Sequence, residues 1–119
     1  MMVEPNTSRL TETLDLLTHP YRRYALYCLT NESEAIDVDT LATEIAEWAG
    51  DQTRASRSTN REAVETALRH THLPKLADRG IVSFRSNTGV IELRNVDGID
   101  QFLADTARID GYKQPAIDG

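Results

Sequence analysis

Lysine is nearly missing from this 119-residue chain. Only Lys75 and Lys113 stand beside eleven arginines, against nineteen Asp and Glu, for a formal net charge of −6. Acid excess without lysine fits a salt-loving cytoplasm, where carboxylates hold hydrated cations and longer-range repulsion is screened within about 3 Å; an ordinary acidic protein is the other reading. Cysteine is almost as scarce. A single residue, Cys28, excludes an internal disulfide and a cysteine-based zinc site, so packing must hold the fold. Apolar runs are only a few residues long, far short of the roughly 20 that span a bilayer, and the N-terminus has no basic-then-apolar leader. A cytoplasmic protein with no membrane partner is expected. Catalytic signatures are missing as well: no glycine-rich phosphate loop, no G-x-S-x-G and no H-E-x-x-H. Neither an enzyme nor a cofactor or metal is expected.

What is present suffices for one core. Leu, Ile, Val and Phe make up 27 residues, about 23% of the chain, above the roughly 20% below which charged chains stay disordered. The length fits one domain. Charge is unevenly placed: residues 1–53 carry net −7, residues 54–85 net +4 and residues 86–119 net −3. An arginine-rich segment between two acidic ones is what a cationic binding surface on a repelling body would look like.

Periodicity orders the chain. Leu10, Leu14 and Leu17 predict a first helix over about 8–17, and Pro20 opens a second that carries PYRRYALYCL to about residue 30. Residues 36–38 form a possible very short strand. Asp39 caps a third helix built on Leu41, Ala42, Ile45, Ala46, Trp48 and Ala49, which Gly50 stops. A connection of about ten residues, Gly50 to Thr59, follows. Thr59 and Glu62 have capping-box spacing, so a fourth helix starts near Asn60; Pro74 bends or breaks it and Gly80 ends it. Its apolar phase slips on the way, from Val64 and Leu68 to Leu73, Leu76 and Ala77. After Gly80 the period becomes two, and IVSFR and VIEL read as a hairpin joined by SNTG. A last helix runs from about Asp97 to Ile109. The domain is thus expected over 8–109, with 1–7 and 110–119 flexible.

Helices, a hairpin and a closing helix, with the basic segment covering the fourth helix and hairpin, make the order of a winged helix-turn-helix: mainly α, four or five helices plus a small β-hairpin wing. HLPKLADRGIV, residues 72–82, is similar to the end of the recognition helix and start of the wing in arsenical-repressor (ArsR-type) regulators. LLTHPYRRYALYCL, residues 16–29, looks like that family's second motif. HPYRRYALYCL together with HTHLPKLADRGIV resembles a group of haloarchaeal winged-helix proteins over about Leu14 to Leu93. The resemblance implies a DNA-binding transcription regulator, nucleoid-associated, with a recognition helix at about 60–79 in the major groove and a wing at 81–94 on the backbone. Two features depart from it: the ten-residue connection, where such turns have three or four residues, and Pro74 inside the recognition helix. ArsR-type metal sensing would need more than one cysteine.

Candidate DNA contacts are Arg54, Arg57, Arg61, Thr66, Arg69, His70, Lys75 and Arg85. Arginine bonds guanine edges or pins phosphates, threonine meets thymine methyls, and Arg85 sits just before the hairpin turn. The competing reading pairs Arg61 and Arg69 with Glu65 four residues away on a solvated face. His70 and His72 point to different faces, so His72 is read as a packing or hydrogen-bonded residue. Cys28 reads as an inert core residue, or as a redox group if it lies at an interface. Tyr24 and Tyr27 with Ile99, Phe102 and Leu103 read as core, or as the interface of a two-fold homodimer on palindromic double-stranded DNA. The alternative function is a winged-helix protein-interaction module that docks another regulator and never meets DNA.

Overall fold

The structure, a computed structural model, describes residues 5–31, 35–53 and 57–112, and the side chains of 10–31, 35–49 and 61–112. Its elements run α1 (Pro5–Leu16), α2 (Pro20–Asn31), β1 (Ala35–Asp37), α3 (Val38–Thr53), α4 (Arg57–Ala67), a π-helical turn (Leu68–His72), α5 (Leu73–Asp78), β2 (Val82–Arg85), β3 (Val90–Leu93) and α6 (Asp100–Asp110). The fold is mainly helical with a small antiparallel sheet, compatible with a winged helix.

Pro20 stands at the first residue of α2, where its missing N–H lacks a helical partner in any case. His19 caps that turn, its Nδ1 accepting the Tyr21 N–H at 3.1 Å. The rest of α2 is the centre of the core: Ala25 to Leu29 are all buried, packed among Leu41 and Ile45 of α3, Val64 of α4, Leu68 of the π turn and Leu73 and Leu76 of α5. The short strand is present at 35–37 and completes a three-stranded sheet in the order β1-β3-β2. Ile91 pairs with Ile36 on one side and Phe84 on the other, and is fully buried.

Both ends of α3 and the start of α4 differ from expectation. The α3 cap is Asp37, whose Oδ1 accepts the Thr40 N–H at 2.8 Å; that bond holds the Asp37 carboxyl below its ordinary pKa. Asp39, expected as the cap, lies in the first turn instead. Gly50 does not stop α3, which continues to Thr53, and α4 begins at Arg57. Residues 50–53 and 57–59, expected in the connection, are thus helical, and 54–56 lie outside the described residues.

Pro74 breaks nothing because the turn before it is widened. The Leu73 N–H reaches back five residues to the Leu68 carbonyl, and α5 starts with Pro74 in its first turn. A π turn inserts one extra residue into the helix and so rotates everything after it. That extra residue is the phase slip: Leu68 and Leu73, five apart, both reach full burial. Gly80, at φ +75°, then ends α5, with its N–H on the Ala77 carbonyl and the Ile81 N–H on that of Leu76.

The two buried charged or polar side chains among the described residues meet at this turn. Arg22 donates from Nε to the Leu16 carbonyl at 2.7 Å, from Nη2 to the Asp15 carbonyl at 3.2 Å, and from Nη1 to His72 Nδ1 at 2.9 Å. The His19 ring lies 4.1 Å from that of His72, and Tyr21 meets His72 edge-on at 5.6 Å. Burial first, then the charges of His19, Arg22 and Lys75, pull the His72 imidazole down to about 4. His72 is accordingly neutral, with Nδ1 free to accept and its proton on Nε2.

The closing helix is locked from the other side of α2. Arg23 grips Asp110 through Nε at 2.7 Å and Nη2 at 3.0 Å, and its Nη1 reaches the Leu17 carbonyl at 2.7 Å. The Tyr27 hydroxyl donates to Asp110 at 2.6 Å, and burial together with that carboxylate pushes the phenol up to about 12. Burial would raise the Asp110 carboxyl, but the Arg23 and Tyr27 bonds outweigh it and hold it below its ordinary value. Tyr112 is buried, its ring 5.2 Å from Tyr24 and 5.1 Å from Tyr27. Residues 110–112, expected to be flexible, are thus anchored by these groups, and α1 starts at Pro5, earlier than residue 8. The expectation of flexible ends at 1–4 and 113–119 lies outside the described residues.

Between pH about 6.5 and 4 the unfolded chain takes up a proton at His72 that the folded chain refuses, so stability falls as the pH drops through that window. Urea unfolding at stepped pH should show wild type losing up to about 3 kcal/mol more than His72→Gln across it. Parallel curves for the two proteins would refute the neutral, buried imidazole. Arg22→Leu, which strands the His72 acceptor and two carbonyls, should cost about 2 to 3 kcal/mol at pH 7 in the same measurement.

Candidate nucleic-acid interface

Helix α4 buries Val64 and turns the opposite side outward. Glu62, Thr66 and His70, four residues apart, form an exposed ridge that continues onto the π turn. None of the three has a side-chain hydrogen bond or ion pair among the described residues. Beside this ridge runs a second row, Arg61, Glu65 and Arg69, half-buried and fully paired. Glu65 Oε1 takes Arg61 at 3.1 Å and Oε2 takes Arg69 Nε at 3.0 Å. Those two bonds, Arg69 first, hold the Glu65 carboxyl below its usual value.

Each arginine is also tied to a neighbouring element. Arg61 forms an ion pair with Asp39 and donates from Nε to Thr43 Oγ1 at 3.3 Å, so it straps α4 to the start of α3. Arg69 carries its guanidinium over the Phe84 ring of β2, 6.0 Å from the centroid, which is the distance limit for a cation–π contact. The hairpin turn comes equally close: a methyl added at Gly89 would lie 3.8 Å from Arg69 Nη2. Helix and wing are therefore joined through one side chain; Arg85, next after Phe84 at the end of β2, is exposed with no ion pair among the described residues.

The basic segment is not one cationic surface. Lys75 approaches Asp15 at 3.9 Å and Arg79 holds Glu12 at 2.6 Å, so both extend to α1 rather than along the ridge. Of the expected contact residues, Arg61 and Arg69 meet through Glu65, Thr66 and His70 lie exposed on the next row, Arg85 is exposed at the end of β2, and Lys75 reaches α1. Arg54 lies outside the described residues, as does the side chain of Arg57. Glu62, read from sequence as half of a capping box, was missed as a ridge residue. Its signal was available in the four-residue spacing to Thr66 and His70, which an earlier start of α4 exposes.

The residues expected at a dimer interface are mostly used within the chain. Tyr27, Ile99 and Leu103 are buried, and Tyr24 packs against Trp48 at 5.2 Å and Tyr112. Phe102 borders a groove of about 400 Å³ between α1 and α6 lined by Leu14, Leu17 and Ile109. Cys28 is buried and directs its thiol to Glu44 at 3.3 Å. Among the described residues no cluster of three or more His, Cys, Asp or Glu could hold a metal ion, and no helix is long and apolar enough to cross a membrane.

Residues 14–92 match a family described as a domain of unknown function, DUF7344, and the chain belongs to that family. No curated protein and no solved structure matches it. The family span runs from the last turns of α1 through β3 and so contains the Arg22–His72 contact, the ridge and the wing, while leaving out α6.

Gly89 tests the contact between helix and wing. It adopts φ +76°, and an added Cβ would lie 3.5 Å from Val38 Cγ1 as well as near Arg69. Gly89→Ala should destabilise the chain by about 1 to 2 kcal/mol from the backbone conformation alone, read as a lower urea midpoint. An unchanged midpoint would mean that the turn is not held in this form.

Proposed function

We propose that this chain is a DNA-binding transcription regulator that reads the major groove with α4 and the π turn and touches backbone with its wing. The observation that carries it is the Arg69 junction, which ties the helix bearing the exposed ridge to the wing strand that carries Arg85. The order of elements, α3 and α4 followed by the β2–β3 hairpin, supports the same reading. The internal ion pairs do not oppose it: they use Arg61 and Arg69 to brace α4 and leave Thr66, His70 and Arg85 exposed with no ion pair among the described residues. Thr66, His70 and Arg85 carry the contact in this reading, while Arg61 and Arg69 hold α4 in place.

The regulator acts as a nucleoid-associated homodimer, through the surfaces that remain open. Leu10 and Leu14 of α1 are 46% and 48% exposed and Ile109 of α6 is 81% exposed; with Phe102 they form an apolar patch that a second copy would cover. Ile109→Glu should convert a dimer to a monomer in sedimentation at micromolar concentration, and a wild-type chain that is monomeric there removes the dimer. A second reading has support from the pairing of Arg61, Arg69, Lys75 and Arg79 with carboxylates within 4 Å. A face neutralised in this way also fits a module that docks another protein.

Chromatin immunoprecipitation at native salt separates the two. Discrete enriched sites are expected, and Arg85→Ala should weaken binding to them evenly while lowering the slope of log affinity against log salt by about 1. No enriched site, with a stable protein recovered on pull-down, would replace the regulator by the docking module.

A further inference from the structure

The exposed ridge of α4 has an unusual chemistry for a DNA-facing surface. Its two neighbouring arginines are bound to Asp39, Glu65 and the wing ring, which leaves a carboxylate, a hydroxyl with a methyl, and an imidazole to meet whatever docks there. Glu62 is exposed and has no ion pair among the described residues. Because α4 starts at Arg57, Glu62 stands in the second helical turn, past the first-turn N–H groups that a capping carboxylate would satisfy.

We propose that Glu62 is a specificity-determining residue, selecting cytosine at the base pair it meets in the major groove; the proposal rests on the DNA-binding reading above. A carboxylate near phosphates is repelled unless it finds a donor. In the major groove the cytosine amino group is a donor with no acceptor on the same base, whereas guanine presents only acceptors and repels an acid. Adenine offers a donor beside an acceptor, so it suits a carboxamide better than a carboxylate. Thr66 follows one turn later, about 6 Å along the helix, or nearly two base-pair steps at about 3.4 Å each. There its methyl suits thymine. Glu65 cannot take the selecting role, since both of its oxygens are occupied by arginine.

The full-length wild type, Glu62→Gln and Glu62→Ala are each used to select from a random duplex library in molar potassium chloride. Replacing an exposed side chain that has no ion pair among the described residues leaves folding unchanged, which thermal melts verify. The wild type should enrich cytosine at one position by roughly tenfold over the other bases. Glu62→Gln should move that position to adenine, and Glu62→Ala should erase it while the rest of the motif stays. A motif identical in all three proteins overturns the assignment of Glu62 and leaves the regulator intact. Failure of the wild type to enrich any sequence overturns the regulator, and the assignment with it.

Discussion

A buried guanidinium with no carboxylate at ion-pair distance among the described residues constrains this fold more than any other group. Arg22 sits among two backbone carbonyls and an imidazole, and a cation there is tolerable only if every one of those partners presents a lone pair. The carbonyls always do. His72 does so only when neutral, so the fold's requirement that Arg22 be satisfied is also a requirement on the His72 tautomer. Through this contact the corner between α1 and α2 fixes the π turn, 50 residues away in sequence. The π turn in turn sets the phase of α5 and, ahead of it, the direction in which α4 presents Glu62, Thr66 and His70. The exposed ridge is thus positioned from its C-terminal end by Arg22 and from the wing side by Arg69.

Much of this was legible in the sequence where the signal is local. Pro20 at a helix start, Gly80 at a helix end, the change of period at Ile81 and the phase slip before Leu73 are each decided by residues within one or two turns of one another. The pairing of Glu65 with the arginines four residues either side is local in the same sense. What could not be read depends on residues far apart. Asp37 displaced Asp39 as the cap because β1 ends where its side chain can reach forward to the Thr40 N–H, and Asp39 was then free to bind Arg61. Gly50 failed to stop α3 because a single glycine in a helix costs only about 1 kcal/mol, which tertiary packing readily overrides. Tyr112 was read as tail because nothing near it is periodic; its burial comes from Tyr24 and Tyr27 on a helix more than eighty residues earlier.

The charge of a segment misled for the same reason. A net of +4 over residues 54–85 counts neighbours along the chain, whereas a field depends on neighbours in space. Asp15 and Glu12 come from α1 and Asp39 from α3, all in the acidic stretch, and each lies against a cation of the basic one. The acidic body and the basic segment are interleaved, and Arg85 is the cation of that segment that remains unpaired among the described side chains.

Interleaving has a consequence for recognition at high salt. When charges are screened within about 3 Å, a cationic surface attracts DNA only weakly at a distance, and counterion release adds little to affinity. Direct contacts are screened far less, so arginines contribute more as struts at ion-pair distance than as a distant field. Arg61 and Arg69 fit that use, holding α4 to α3 and to the wing. Discrimination must then come from groups whose bonds to base edges exclude water and salt, and a carboxylate can take part, because the phosphate repulsion that would penalise it in dilute buffer is screened as well. Under the proposed DNA-binding reading, and at the molar salt that the scarcity of lysine leads one to expect, an acidic residue on the exposed ridge is therefore a smaller liability than it would be on a lysine-rich protein at low salt, and its value for telling bases apart is undiminished.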